Sequence, residues 1–254
     1  MLSSIWNTLL YEPLVNALVF LVSVIPGGDV GLAVIALTLL VKLLLFPFSQ
    51  HFIKNQAAMN ILAPELDKIK KSEASKEEQA KLTFELYKKH KTNPFSGCLV
   101  QIPAIIVVIA LYNVFIKGVN FNTELLYSFI HVPEDMSMLF FGLIDISKKS
   151  FILALLAAVS QYFQTYFMPK PATPLGADAD SFQANFTKSM YANMKYGFPI
   201  LIFIILYTDF LGISLSGAVA LYFITSNVFA IGQQIYVNKT EKKELVAEAK
   251  ALSS

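Results

Sequence analysis

Five long apolar runs constrain the fold of this 254-residue chain more than any other sequence feature. A hydrocarbon core about 30 Å thick takes about 20 apolar residues in a helix, and each run reaches or approaches that length. The runs do not alternate polar and apolar residues, as the strands of a membrane barrel would. We therefore predict an all-α, polytopic membrane protein with spans at about 29–50, 99–116, 151–168, 196–211 and 217–237.

Residues 1–28, before the first span, allow two interpretations. The cleanest apolar part, Leu14–Ile25, lies between two prolines and has only 12 residues. A run that short is more often interfacial than spanning, and Trp6 and Tyr11 suit the headgroup region. An interfacial helix is favoured, and a sixth span is the alternative. No basic residue precedes the run, so a cleaved signal peptide is not expected.

The distribution of lysine predicts the orientation, because lysine supplies all 20 basic residues. The loops 52–97 and 169–195 and the tail 238–254 together carry sixteen of them. The loops on the opposite side carry only Lys117, Lys148 and Lys149. Cytoplasmic loops carry the excess of positive charge, so the N-terminus is predicted outside and the basic tail in the cytoplasm.

The loop 52–97 is predicted to form an antiparallel helical hairpin. Pro64 should kink or restart its first helix, and Ser75 with Glu78 makes a capping box that would start the second. The charged remainder is either a solvated face or a docking surface for a cytoplasmic partner. Apolar residues at helical spacing are Met59, Leu62, Leu66 and Ile69 in the first helix, and Ala80, Phe84 and Tyr87 in the second.

Lys42 is a charged residue well inside the first span. At 1.5 Å per residue it lies roughly 12 Å from the cytoplasmic end of that span. Leaving a lysine at depth costs at least about 2.5–3.5 kcal/mol on insertion scales. The only acidic residue in the other spans is Asp209, at the outer end of the fourth. We therefore expect water in a polar cavity, and not a buried ion pair, to offset the cost.

Polar side chains in the other spans could line such a cavity. Given the orientation above, they lie in or beyond the cytoplasmic halves of their spans, so the cavity should open toward the cytoplasm. The alternative is that they form hydrogen bonds from helix to helix. The predicted lining consists of Thr38, Lys42, Gln101, Ser160, Gln161, Gln164, Tyr222, Ser226, Asn227 and Gln233.

No catalytic grouping is visible in the sequence. There is no nucleophile with a paired base, no phosphate-binding glycine loop and no set of spaced metal ligands. The single cysteine, Cys98, cannot form an internal disulfide. The net charge of +2 suggests no nucleic-acid substrate. We therefore expect neither an enzyme nor a bound cofactor or metal.

Several motifs in order resemble the YidC/Oxa/Alb group of membrane protein insertases, as in a short bacterial member. They span about residues 11–238 and read "YEPLVNALVFLVSVIP", "LTLLVKLLLFPFS", "LYKKHKTNPFSGC", "QIPAIIVVIALYNVF" and "LYFITSNVFAIGQQ". The resemblance implies a five-helix core around a hydrophilic groove that opens to the cytoplasm and to lipid and is closed outside. It also implies an interfacial helix before the first span, and it puts Lys42 at the position of the groove's positive charge. The chain is about three residues shorter than the family pattern before Gln101, which shifts the start of the second span.

The resemblance further implies a function in the bacterial inner membrane. Proteins of this group insert nascent membrane proteins into lipid without nucleotide hydrolysis, and the cytoplasmic hairpin helps to recruit them. The ribosome, signal-recognition components and the Sec translocon are the implied partners, besides membrane lipid. Two other functions remain open from the residues alone: a small ion- or proton-linked transporter, and a non-catalytic scaffold for membrane assembly.

Overall fold

The computed structural model describes residues 7–50, 53, 62–72, 74–90, 106, 109, 113, 126–133, 135–168, 189, 191–209 and 215–240. Over these residues the chain is mostly helical, with one two-stranded sheet, which confirms the predicted all-α class. The chain divides into two compact units. The first comprises Met1–Leu45, Ile102–Tyr162 and Pro199–Phe229, and the second comprises Phe46–Gln101, Phe163–Phe198 and Ala230–Ser254.

Two helices joined by a tight turn begin the first unit. A π-helical turn, Asn7–Tyr11, continues into helix α1, Glu12–Val24. The short turn Pro26–Gly28 then leads into helix α2, Val30–Leu44. Gly28 has a φ of 59°, and a Cβ atom there would lie 1.9 Å from the backbone oxygen of Asp135. Only glycine fits this position without moving the neighbouring backbone.

Helix α2 changes its surroundings along its length. From Val30 to Thr38 most of its side chains are buried, whereas the residues beyond Thr38 are exposed or half-buried. The helix ends at Leu44, Leu45 forms a turn, and residues 46–50 are helical again. Pro47 explains this break, because its ring clashes with the backbone one turn earlier and it lacks an N–H group. The predicted span 29–50 is therefore interrupted near the end that precedes the lysine-rich loop 52–97.

Residues 126–150 lie across the ends of several helices of the first unit. They contain strands β1, Leu139–Phe140, and β2, Ile144–Asp145, which pair antiparallel. Three more helices follow along the chain: α5, Phe151–Phe167; α6, Phe198–Tyr207, which is preceded by a π-helical turn; and α7, Gly217–Thr240. Helices α3, Ala63–Lys70, and α4, Lys76–Lys89, precede them in the chain.

The start of α2 and the start of α7 both bond to this segment. The backbone N–H of Val30 donates to Ser137 O (3.0 Å), and that of Gly217 donates to Lys148 O (2.9 Å). Such bonds satisfy N–H groups that the first turn of a helix leaves without partners. Helix α5 starts directly after the segment, and Asp209, beyond the end of α6, pairs with Lys149. Helices α2, α5 and α7 thus begin at the end of the unit where α6 finishes.

Helix α5 has one face of small residues and one of large apolar residues. Ala154, Ala157 and Ala158 are buried, and small side chains of this kind let helices pack closely. Ile152, Leu155, Leu156 and Val159 are exposed on the other side. An apolar face of this size suits lipid better than water.

By length and composition, two described helical stretches could cross a membrane, namely Asn7–Val24 and Gly217–Val237. Val30–Leu44, Phe151–Phe167 and Asn193–Tyr207 are apolar but shorter. Of the predicted second span, only residues 106, 109 and 113 are described, and all three are helical. Length alone leaves α1 open to both interpretations, so its interfacial position stays a prediction.

The second unit contains the predicted hairpin helices, α3, Ala63–Lys70, and α4, Lys76–Lys89. Helix α3 begins one residue before Pro64, so the proline lies in a first turn, where its missing N–H group costs little. The Ser75 side chain accepts a bond from Glu78 N (3.3 Å), and α4 begins directly after Ser75, as the capping box predicts. Leu62 and Leu66 are buried, and Met59 lies outside the described residues.

The predicted apolar face of α4 is wrong at two of its three residues, because only Tyr87 is half-buried. Phe84 is 72% exposed and Ala80 is exposed, whereas Thr83 is fully buried. Gln79, one turn before Thr83, donates to the backbone oxygens of Ser72 and Ala74, at 3.1 Å each. These bonds turn the face of Gln79 and Thr83 inward, which leaves Phe84 outside.

Candidate functional site

Most of the predicted groove residues lie in the first unit. Gln101 lies outside the described residues, so its predicted place in the groove stays untested. The second unit holds Gln164 and Gln233. The first unit holds Thr38, Lys42, Ser160, Gln161, Tyr222, Ser226 and Asn227.

Lys42 lies in the last turn of α2, where that helix has left the buried core. It is twelve residues past Val30, or about 18 Å along the helix axis. Its side chain is half-buried, and no carboxylate of the described residues lies within ion-pair distance of it. The carbonyl end of a helix carries partial negative charge, which favours a nearby ammonium group by about 0.3–1 kcal/mol. The break at Leu45 therefore places Lys42 at a helix end that tolerates a positive charge.

Thr38, one turn before Lys42, marks the boundary of the buried part of α2. Its side chain is 2% exposed, and its hydroxyl donates to Val34 O at 2.6 Å within the same helix. The Thr38 hydroxyl is thus satisfied by its own helix.

Polar side chains also join α5 to α7 in the first unit. Asn227 Nδ2 donates to Ser160 Oγ at 3.0 Å, and Ser160 Oγ donates to Ala157 O at 2.8 Å. Asn227 and Gln161 are buried. The Ser160 and Asn227 side chains therefore hydrogen-bond from helix to helix, and their place in a cavity lining stays a prediction.

Tyr222 and Ser226 lie one turn apart on α7, and both are buried. Their side chains hydrogen-bond to each other. This pair supplies a second polar contact within the first unit, along the same helix as Asn227.

In the second unit, Gln233 is bonded to the chain beyond the α2 break. Its Nε2 donates to Ser49 Oγ at 2.7 Å, and Ser49 Oγ donates to Phe46 O at 3.1 Å. Gln233 is buried, and Gln164 is half-buried. The sequence placed Ser49 on the same face as the predicted lining, and the structure joins it to Gln233.

Two buried residues outside the predicted set hold residues 126–150 in place. One carboxylate oxygen of Asp29 accepts from Leu32 N (3.0 Å), and the other accepts from Phe141 N (2.8 Å). Asn16 Oδ1 accepts from Tyr127 N at 2.7 Å. An Asp directly before an apolar helix is an N-cap signal, and an Asn inside an apolar run is a sign of a buried bond. Neither sequence signal predicts the distant partner, which is Phe141 N for Asp29 and Tyr127 N for Asn16.

Asp145 is an acidic residue within 126–150 whose charged form is stabilised by its neighbours. Hydrogen bonds from the Ser147 hydroxyl (2.5 Å) and the Lys148 ammonium (3.0 Å) lower the pKa of Asp145 below its ordinary value. These contacts lie in the exposed stretch just beyond the β1–β2 turn.

The first unit thus has a closed end and an open end. At the closed end, residues 126–150 cover the start of α2 and bond to the start of α7. At the open end, the residues of α2 beyond Thr38 are exposed or half-buried, and Lys42 is one of the half-buried ones. Such an arrangement can hold a positive charge partway along an apolar helix without sealing it in protein. Among the described residues, no group of three metal-ligating side chains occurs.

Comparisons with known proteins agree on one family. The family described as "60Kd inner membrane protein" matches residues 20–244. A protein of Magnetococcus marinus named "Membrane protein insertase YidC" is 30% identical over 240 residues, which are 94% of this chain and 37% of that protein. A protein of the same name from Burkholderia multivorans is 30% identical over 239 residues, 92% of this chain and 36% of that protein.

A relative of similar size also matches. The protein named "Membrane protein insertase YidC" from Fusobacterium nucleatum is 29% identical over 213 residues, covering 84% of this chain and 87% of that protein. The chain therefore spans little more than a third of the Magnetococcus and Burkholderia relatives, but most of the Fusobacterium one.

Proposed function

This chain belongs to the 60Kd inner membrane protein family, and from that premise we propose that it is a membrane protein insertase of the bacterial inner membrane. It moves nascent membrane proteins from the cytoplasm into lipid through a cationic hydrophilic groove, without nucleotide hydrolysis. The names of its relatives support the insertase function. The groove is our inference from the residues.

The observation that carries the proposal is the change of surroundings along α2. A helix buried from Val30 to Thr38 and open at Lys42 supports a cavity that is closed at one end and reaches partway across the membrane. A charge at the bilayer centre costs at least about 2.5–3.5 kcal/mol, so Lys42 requires water or a polar surface nearby. The same water lets a polar segment of a substrate enter the membrane.

Insertion then follows from two separate forces. The Lys42 ammonium attracts acidic residues in the segment that must cross, and the groove shortens the hydrocarbon distance that this segment travels. The substrate's apolar helix slides along the lipid-facing surfaces of the second and fifth spans, and its transfer into lipid drives the process. Lys42 acts as an attractor, because a tight ion pair would trap the substrate.

The proposed orientation puts residues 126–150 outside and the C-terminus in the cytoplasm. The lysine distribution supports it. The bond between Asn16 and Tyr127 N bears on the position of α1 and not on the orientation. If α1 spanned the bilayer, this bond would draw irregular backbone toward the middle of the membrane, where lipid-exposed loops do not occur. We therefore propose that α1 lies in the outer interface and that five helices span the membrane.

The proposed partners meet the protein on the cytoplasmic side. The hairpin helices α3 and α4 recruit nascent chains, and the charged, exposed face of α4 supports a docking role. The ribosome, signal-recognition components and the Sec translocon are the proposed partners, together with membrane lipid. No nucleic-acid substrate and no cofactor are proposed.

The test is rescue of bacterial cells depleted of their insertase, with insertion of a substrate that has an acidic outer segment as the readout. We expect Lys42→Arg to retain insertion and Lys42→Leu to lose it, because only the leucine removes the positive charge. Lys239→Leu is the matched control, since Lys239 is an exposed lysine at the end of α7. Equal insertion by the wild-type chain and Lys42→Leu would refute the electrostatic role.

A scaffold for membrane assembly is the second candidate, and the Ser160–Asn227 bond favours it. In a scaffold, polar side chains serve only to join helices, and Lys42 has no role in transport. Rescue by Lys42→Leu combined with failure of Ser160→Ala and Asn227→Ala would support the scaffold over the groove.

A further inference from the structure

The β1–β2 turn presents apolar side chains outward, although it lies outside the predicted spans. Leu143 is 84% exposed, the highest value among the large apolar side chains that the structure describes, and Phe141 is 66% exposed. The neighbouring Phe140 has the opposite environment, because its ring packs directly against Gly31 at the start of α2. The ring of Phe140 also contacts that of Phe141, with centroids 4.6 Å apart, so the exposed tip rests on a phenylalanine that packs against α2.

The backbone holds Phe141 in an uncommon conformation. Its φ is 51°, and it is the only non-glycine residue with positive φ in the described part of the chain. Asn, Asp and Gly are the usual residues at such positions in turns that face water. The bond from Phe141 N to Asp29 Oδ2 fixes this backbone, so a buried carboxylate maintains a conformation that points a phenyl group outward.

The surroundings of the turn indicate what covers it. The first turn of α5, only a few residues later, exposes Phe151 and Ile152, which start the lipid-facing side of that helix. Between the β1–β2 turn and the start of α5 lie the exposed Lys148 ammonium and its partner Asp145. Both charges suit the headgroup layer of a membrane. The turn is thus continuous along the chain with a lipid-facing surface and has charges at its base.

The dimensions fit insertion to a shallow depth. From Asp145 to Leu143 an extended chain reaches about 7 Å. The headgroup layer on each side of the hydrocarbon core is about 5–8 Å thick. A turn whose base lies at the headgroups can therefore place its tip at the edge of the acyl chains.

We propose that the tip formed by residues 141–143 inserts into the outer leaflet and anchors residues 126–150 to lipid. The proposal requires only that the protein resides in a membrane. The choice of the outer leaflet also requires the orientation given under the proposed function. The anchor is independent of the Lys42 groove. Phospholipid is what covers the tip. The alternatives are water, a second copy of the chain or another protein, and the experiment distinguishes them.

The experiment uses tryptophan as a probe of depth in the full-length protein. The only native tryptophan, Trp6, is replaced by Phe, and Leu143→Trp, Phe141→Trp and Ser147→Trp are made separately in that background. Each purified protein is reconstituted into phosphatidylethanolamine–phosphatidylglycerol vesicles with and without brominated acyl chains. We expect the bromines to quench the two tip variants and to shift their emission to shorter wavelength. Ser147→Trp, at the exposed base, should respond instead to acrylamide in the water.

Two results would overturn the anchor. Acrylamide quenching of Leu143→Trp as strong as that of Ser147→Trp would mean that the tip faces water. Protection of the tip from both quenchers would mean that protein covers it, either a second copy or another part of the chain. Phe141→Trp keeps the experiment decisive if Leu143→Trp does not fold, because the two tip residues predict the same quenching.

The leaflet is tested separately. Ser147→Cys is made in a Cys98→Ser chain and exposed to a membrane-impermeant maleimide outside intact cells whose outer barrier has been removed. Labelling supports the outer leaflet. Absence of labelling, together with quenching of the tip by brominated lipid, would retain the anchor but refute the orientation in the proposed function.

Discussion

The Asp29 side chain holds two segments of the closed end together. One of its oxygens caps α2 through Leu32 N, and the other bonds to Phe141 N, so a single buried carboxylate serves two segments. An asparagine could replace the first contact but not both, because its amide nitrogen cannot accept a hydrogen bond. Alanine would lose both.

We therefore expect thermal stability in detergent to fall from the wild-type chain to Asp29→Asn and further to Asp29→Ala. Leaving one buried backbone donor without a partner costs about 1–3 kcal/mol, so the alanine variant should lose about twice what the asparagine variant loses. The measurement is the Tm of the purified protein. Exposed Asp135 provides the matched control, as Asp135→Asn should leave the Tm unchanged. An unchanged Tm for Asp29→Ala would contradict this role.

Asp145 gives the same end of the molecule a dependence on pH. Its pKa is lowered first by the Ser147 hydroxyl bond and then by Lys148, so its ionised form is favoured in the folded state. The stabilisation is therefore complete above the ordinary pKa of an aspartate and is lost as the pH falls through the lowered value. We expect protease cleavage within residues 126–150 to increase over this acidic range and Asp145→Asn to show little of the change. Identical pH profiles for the two proteins would contradict this.

At the residue scale, the sequence identifies side chains better than it identifies their partners. Lys42 is visible as a charge in an apolar run, and its half-buried place at a helix end agrees with that signal. Asp29 and Asn16 carry local signals as well, but their partners are more than a hundred residues away in the chain. Spacing rules describe neighbours within a helix and contain no information about such contacts.

Helix α4 illustrates what is predictable at the scale of an element. Its start follows from Ser75 and Glu78, because a cap depends only on residues a few positions apart. Its buried face does not follow, since two sets of residues, one through Phe84 and one through Thr83, both have helical spacing. The bonds from Gln79 to the connection select the Thr83 face.

The cap of α4 can be tested in the intact protein. Replacing an N-cap serine by alanine costs about 1 kcal/mol, so Ser75→Ala should speed amide hydrogen exchange in the first turn of α4 about five-fold. Ser72→Ala is the matched control, because the Ser72 hydroxyl bonds to Ile69 O at the end of α3. Equal exchange in the two variants would mean that Ser75 does not hold the helix start.

The apolar helices also have some features that the sequence predicts and others that it does not. Hydropathy predicts α5 and α7 close to their observed bounds, because both are continuous apolar helices. The break at Leu45 and the π-helical turn Asn193–Gly197 are absent from that prediction. Pro47 could have indicated the first, and no residue in NMKYG indicates the second.

At the scale of the whole molecule, the closed and open ends of the first unit predict that water reaches α2 from one side of the membrane only. With Cys98 replaced by serine, Lys42→Cys should react with a water-soluble maleimide from the cytoplasmic side, because the α2 surface is open there. Val34→Cys should not react from either side, since Val34 is completely buried. Labelling is measured in membrane vesicles of each orientation. Absence of labelling of Lys42→Cys, in protein that is correctly folded, would contradict a water-filled cavity.

The contact between Asp29 and Phe141 also sets an order of events in the biogenesis of the protein itself. The two residues are 112 positions apart, so a ribosome that adds about 5–20 residues per second needs about 6–22 s to supply the second after the first. During that interval helix α2 has been synthesised without the segment that covers its start. A protein proposed to assist other half-made membrane proteins must therefore pass through such a stage itself, with α2 complete before the segment that covers its start has been made.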